Sequence, residues 1–371
     1  MIEQLLEIYE APTLIVAGAI AIGLVFGVAA EVSRYCTRSA VMEWTGDGSG
    51  QGAGAGDARR PSPTTMVLLA MLTALAGTQA LAWSGVLDLS QTIYWSAPLR
   101  PLALTAGGLL FGAGMVLARG CVSRLLVLAA SGNGRALVTL LVTGLTAYAT
   151  MRGLLYAPRS VLEGLHAVPA GASTLTDPGS AKLLAPAVGI ALIGLLALHV
   201  RRAGLGAGAI AAGLVIGLLA TFGWAWTALV AADAFDPVPV TSLSFVAPVA
   251  ETVQYAMVAT GDTVRWGTAL VIGTVGGAFL SAILSGRFRA QGFTDDTPLW
   301  RYATGGVLMG FGGVVALGCT VGQGLAGVST AAPGSVLAIA AILTGAAATL
   351  SLTGTRRASG AAATGLPIAA R

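Results

Sequence analysis

Three cysteines, Cys36, Cys121 and Cys319, carry the most distinctive chemistry in this chain, and two of them occupy one repeated setting. Cys121 lies in "LARGCVSRLLVLA" and Cys319 in "VALGCTVGQGLAG". Residues 107–131 align with 305–329 without a gap, with identities that include Gly107, Gly112, Gly114, Gly120 and Cys121. Cys36 sits in "RYCTRSA", and a looser alignment of "GLVFGVAAEVSRYCT" (23–37) with "GLVIGLLATFGWAWT" (213–227) pairs it with Trp226. A neutral thiol is a weak hydrogen-bond donor, better matched to a soft, polarisable acceptor than to a hard oxyanion. An anion with a terminal sulfur is such an acceptor. A thiolate would repel it, so this chemistry requires protonated cysteines. A lone buried cysteine is ordinarily a small hydrophobe; three at equivalent positions of a repeat argue for a shared task.

The neighbours fit the handling of an anion. Arg34 and Arg38 flank Cys36, and Arg119 and Arg124 flank Cys121, either as inner-surface residues whose heads reach water or as attractors of negative charge. Gln323 follows Cys319 by one helical turn and offers an amide donor, and Trp226 would close the fourth side as an apolar wall. Each of the four positions follows a long apolar run and precedes a short one. A half-helix of about ten residues is ~15 Å long, half the hydrocarbon core of a bilayer. Beginning at the midplane, it would aim its unpaired N–H groups and positive dipole end inward, a backbone site for an anion. Gly120 and Gly318, beside the cysteines, are expected to permit the sharp turn. Irregular backbone at such depth is tolerated only where protein buries it or a cavity adjoins it.

Elements able to hold such a constellation follow from composition. Of 371 residues, 55% are hydrophobic and 10% charged, and the mean hydropathy is +0.81, whereas soluble domains carry about 25% charged residues. The sequence therefore predicts an all-α integral membrane protein. Its 52 glycines read as packing surface, because small residues let helices approach closely in lipid. Nine segments are long and apolar enough to span, near 12–31, 65–87, 99–118, 134–156, 182–200, 207–231, 264–285, 301–318 and 333–353. "SFVAPVAETVQYAM" is too short and polar to cross, and reads as a partly inserted helix.

Taken with the repeat, the spans divide the chain into a first half, 1–160, a connecting span, 182–206, and a second half, 207–354, followed by a disordered cytoplasmic tail, 355–371. A flexible glycine-rich linker, 46–63, interrupts the first half. Four spans per half and a fifth between them make the halves opposite in direction, the inverted-repeat plan of many transporters, whose sites lie at the midplane. With the N-terminus outside, fifteen of the 20 basic residues fall on inward segments, so the C-terminus is expected inside. The acidic start "MIEQLLEIYE" lacks the basic region of a cleavable signal peptide.

Other chemistries find less support. His166 and His199 are too few and too distant for a Cys/His metal site, and three cysteines make no disulfide framework. No cofactor motif is present, and no general base stands near a cysteine in sequence, which argues against a thiol enzyme such as a sulfur transferase. Nothing points to nucleic acid. Glu31, Glu43 and Glu251 are candidate intramembrane acids without an evident partner.

At "RYCTRSA", "GAGMVLARGCVSR" and "GFGGVVALGCTVGQG" the sequence resembles the YeeE/YedE family of bacterial sulfur-compound transporters, over nearly its whole length. The resemblance implies an hourglass-shaped inner-membrane protein of nine spans with short inserted helices. It implies thiosulfate uptake past three cysteines that map onto Cys36, Cys121 and Cys319. It also implies the surrounding membrane lipids and a small cytoplasmic sulfur-carrier protein as partners, and no cofactor. The expectation is inward transport of thiosulfate, handed along the cysteines by S–H···S hydrogen bonds. The alternative is a membrane sensor that binds a sulfur compound and signals to a cytoplasmic regulator.

Overall fold

The computed structural model describes residues 11–45, 62–165, 207–232, 239–292 and 298–364, together with residue 194. Most of these residues are helical. In chain order they form α1 (Ala11–Ser33), α2 (Thr37–Trp44), α3 (Pro63–Trp83), α4 (Ile93–Ser96), α5 (Pro101–Leu117), α6 (Val122–Ala130), α7 (Gly134–Arg152) and α8 (Tyr156–Gly164). The second part contains α9 (Ala207–Ala232), α10 (Val246–Val258), α11 (Trp266–Leu284), α12 (Leu299–Val315), a π-helical turn (Gly322–Gly327) and α13 (Pro333–Thr364).

Six stretches are long and apolar enough to cross a membrane: Ala11–Trp44, Pro63–Trp83, Pro101–Ala130, Ile210–Ala231, Trp266–Leu284 and Pro333–Thr353. The bent pair of α7 and α8 makes a seventh if it is one span. The span expected at 301–318 is the 17-residue α12, which stops short where the Cys319 segment begins. The span expected at 182–200, both histidines and most of the 46–63 linker lie outside the described residues. α13 runs to Thr364, beyond the end expected for the ninth span. The predicted short helix around Pro248 is present as α10, packed on α7 and α11.

The outer surface carries Val25, Val32, Leu68, Leu141, Leu218 and Leu280, all exposed, as expected where lipid tails replace water as the solvent. Trp44, Trp83 and Trp300 are exposed at helix ends, where amphipathic rings suit the headgroup level. This is a multi-pass membrane protein.

Because apolar burial gives no drive for association in lipid, helices must approach closely enough for backbone contact. α1 and α11 do so through paired small-xxx-small rows, Gly23 and Gly27 on one helix, Gly273 and Gly277 on the other. A Cβ on Gly27 would collide with the Thr274 carbonyl oxygen, and one on Gly277 with that of Leu24. Gly277→Leu is therefore expected to destabilise the protein by about 3 kcal/mol or more, since overpacking a rigid backbone contact leaves no rotamer to escape into. The amount of folded protein in size-exclusion chromatography after detergent extraction checks this, and a normal yield would contradict it.

Two caps fix the ends nearest the cysteines. Glu43, at the end of α2, accepts hydrogen bonds from Thr64 N–H at 2.9 Å and from the Ser62 and Thr64 hydroxyls, which ties α2 to the start of α3. Asn133 caps α7 by accepting from Ala136 N–H at 3.0 Å. The candidate acid Glu43 is thus a capping residue.

Candidate functional site

All three cysteines stand at the same kind of helix break. α1 ends at Ser33, Arg34 turns left-handed with φ 56°, and Cys36 caps α2. α5 ends at Leu117, Arg119 turns left-handed with φ 59°, and Cys121 caps α6. α12 ends at Val315, Leu317 turns left-handed with φ 55°, and Cys319 leads into the π-helical turn. Around Cys121, Arg119 N–H bonds to Val116 O at 3.2 Å and Gly120 N–H to Met115 O at 3.1 Å. Around Cys319, Leu317 N–H bonds to Val314 O at 3.1 Å and Gly318 N–H to Gly313 O at 2.8 Å. Both are Schellman closures, in which the residue after the C-cap takes a positive φ.

The left-handed residue is Arg119 or Leu317, and the expected glycines follow directly: Gly120 N–H and Gly318 N–H close the turns, and Gly318 also has a positive φ, 158°. A Cβ on Gly120 would meet nothing closer than Leu125 Cδ2 at 3.4 Å. Gly318 has a clearer packing role, because a Cβ there would press on Gln323, Cγ at 3.2 Å. Non-glycine residues in left-handed conformation cost of order 1–3 kcal/mol and tend to cluster at functional sites.

Cys36, Cys121 and Cys319 are unbridged and buried. The Cys36 and Cys121 thiols are close enough to influence one another. Cys121 Sγ also lies 3.3 Å from Ser123 Oγ. Cys319 Sγ accepts the Gly322 N–H at 3.3 Å, which leaves its own S–H available to donate. Tyr35, 3% exposed, lies within electrostatic range of all three thiols, and Tyr94, beside Cys319, donates to Gly322 O at 2.6 Å. Sequence reasoning passed over both tyrosines. The signal for Tyr35 was its place directly before Cys36; Tyr94 is reached only through the fold.

Two clefts flank the thiols. The first, about 470 Å³ including its open mouth, is lined by Tyr94, Leu99, Leu317, Gln323 and Ser335 among others. Gln323 gives one amide N–H to Ala316 O. Its Oε1, the Ser335 hydroxyl and the nearby Thr320 hydroxyl are buried without a hydrogen-bond partner. Buried polar atoms without partners are uncommon and costly in proteins, so this end holds unspent polar capacity beside Cys319.

The second cleft, about 950 Å³ including its mouth, is lined by Arg34, Arg124, Arg287, Arg289, Glu31, Ser131, Asn133 and Gln291 among others. Arg124 interacts electrostatically with Cys36. Arg34 and Arg124 thus share a cavity, whereas Arg38 and Arg119 do not line it. Arg287 and Arg289 were counted in the sequence only as loop charges. Glu31, for which no partner was evident, is paired with Arg287 Nη2 at 2.7 Å and accepts from Ser281 Oγ at 2.9 Å.

Trp226 does not join the site. It sits within the unbroken α9, and its indole N–H donates to Leu14 O at 3.0 Å, near the start of α1 and far along that helix from Cys36. Its ring fills the space left by Gly18 and stacks on Phe222. The fourth break and apolar wall expected there are absent, because the glycines and leucines that support the alignment with residues 23–37 report helix packing and carry no turn.

A family model described as "Sulphur transport" matches residues 32–348. Among characterised proteins, the thiosulfate transporter TsuA of Spirochaeta thermophila is 26% identical over 268 residues, 65% of this chain and 74% of its own length. The thiosulfate transporter TsuA of Escherichia coli is 39% identical over 83 residues, 22% of this chain and 23% of its own.

Proposed function

The chain belongs to the sulphur transport family, and from that membership we propose that it carries thiosulfate, or a closely related sulfur-containing anion, inward across the bacterial inner membrane. The observation that supports this most directly is that three unbridged, buried thiols all lie within electrostatic range of Tyr35, with one cleft lined by Gln323 and another by Arg34 and Arg124. In this reading the bundle is hourglass-like and the thiols form its waist. The N-terminus is periplasmic and the C-terminus cytoplasmic, so the cleft at Gln323 faces outward and the arginine-lined cleft inward. Residues 1–160 and 207–354 act as opposed halves joined by the segment 182–206.

The ion enters beside Cys319, where the orphaned hydroxyls of Thr320 and Ser335 turn their hydrogens to its oxygens. Its terminal sulfur accepts the Cys319 S–H and is then passed to Cys121 and Cys36. The N-terminal N–H groups of α2 and α6, beneath Cys36 and Cys121, offset the charge during the transfer. Both similar transporters carry thiosulfate in their names, which supports that substrate class.

Cells lacking their own thiosulfate systems are expected to show saturable uptake of radiolabelled thiosulfate when they express this protein. A large excess of external sulfate should leave that uptake intact, because sulfate has no soft sulfur to accept a thiol hydrogen. Tight thiosulfate binding without uptake would replace transport by the sensor reading.

A further inference from the structure

The arginine-lined cleft has a composition that the thiol relay does not explain. Four guanidiniums, Arg34, Arg124, Arg287 and Arg289, line one cavity. Among the described residues that line it, Glu31 is the one acid. Glu31 is held firmly: its side chain is 8% exposed, Arg287 Nη2 lies 2.7 Å away, and Ser281 donates to the same oxygen. Arg287 in turn is 37% exposed and gives its Nε–H to Ser285, so it can turn toward the cavity without being dragged from a packed core. Arg124 spans the junction, since it both lines the cleft and interacts with Cys36.

We propose that this cleft is an anion-release site selective for charge and indifferent to sulfur, and that Glu31 is a built-in competing anion that limits how long a divalent ion stays. This rests on the transport reading. The thiols recognise a soft terminal atom, whereas guanidiniums form charge-assisted hydrogen bonds with any oxyanion. Four arginines facing one dianion would otherwise make a trap. Glu31 occupies Arg287 at rest, yields it as the ion arrives from Cys36, and reclaims it to expel the ion into the cytoplasm. Glu31 is a positioning residue, acting through Arg287.

Sulfate is the probe, because it shares the divalent oxyanion and lacks the terminal sulfur. Purified protein in detergent is expected to melt at a higher temperature in sodium sulfate than in sodium chloride of equal ionic strength. Glu31→Gln keeps the hydrogen bond to Ser281 and removes the competing charge, so half-maximal stabilisation should need about tenfold less sulfate. Arg289→Gln, at an exposed position, should weaken the sulfate effect without lowering the melting temperature in chloride, and Cys319→Ala should leave it unchanged. In uptake assays Glu31→Gln should lower both kcat and KM, the signature of an ion held too long, whereas a merely structural Glu31 would reduce the amount of folded protein with KM unaltered. A sulfate effect that ignores both Glu31→Gln and Arg289→Gln overturns the site, as does a Glu31→Gln variant with wild-type kcat and KM. Failure of wild-type protein to take up thiosulfate would overturn the transport reading instead, with the sulfate measurements still deciding whether the cleft binds anions.

Discussion

Replacing Cys319 by serine is expected to cut thiosulfate uptake at least about tenfold at matched expression, equivalent to about 1.4 kcal/mol in the transport barrier. The substitution is well suited to separate function from packing. Cys319 Sγ accepts the Gly322 N–H at 3.3 Å, and a serine oxygen accepts the same bond, so the turn into the π-helical segment survives. What changes is the free donor. A compact hydroxyl prefers hard oxygen acceptors, and in a buried site each mismatch is felt strongly. Cys319→Ala should be no milder, because the ion is then one donor short. The same pair at Cys121, which has the same Schellman turn before it, should behave alike. Trp226→Cys should rescue neither, since that position faces Leu14 and Gly18. Near-normal uptake by folded Cys319→Ser would make Cys319 a packing residue and remove the first step of the relay.

Mild oxidation should abolish uptake altogether, and reduction should restore it. The Cys36 and Cys121 thiols are neighbours, and diamide removes two electrons and two protons from such a pair to leave a disulfide and the reduced hydrazine. A disulfide has no S–H to donate, so two of three relay positions are lost at once. Mass spectrometry should find the 36–121 bridge, with Cys319 still open to alkylation under denaturing conditions. Cys36→Ala should be insensitive to the oxidant. Full uptake by protein shown to carry that bridge would mean that the two thiols take no part in transport.

The sequence made the cysteines legible because two of them recur in one gapless alignment, and the structure gives that alignment a local meaning in matched turn hydrogen bonds. It also showed the membrane character and the glycine-lined packing, both of which are properties of composition. Trp226 failed because helices rich in small residues resemble one another wherever they pack, so matched glycines and leucines do not locate a break. Gly120 and Gly318 do sit in the turns, Gly318 with a positive φ of its own, but the left-handed residue before each, Arg119 or Leu317, had no local signal because propensity favours glycine there. Glu31 and Arg287 are joined only by the packing of α1 against α11 and the turn that follows it. No local pattern announces such a pair.

The two clefts also shape the electric field. In the transport reading, the membrane potential falls mostly across the stretch between Gln323 at one side and Arg124 at the other. Moving a dianion inward against 100 mV, negative inside, costs about 4.6 kcal/mol, twice the cost for one elementary charge. That is equivalent to an opposing concentration ratio of roughly a thousandfold or more. On that reading, steady inward flow demands either a cation that travels with the ion or a cytoplasmic reaction that consumes it as fast as it emerges.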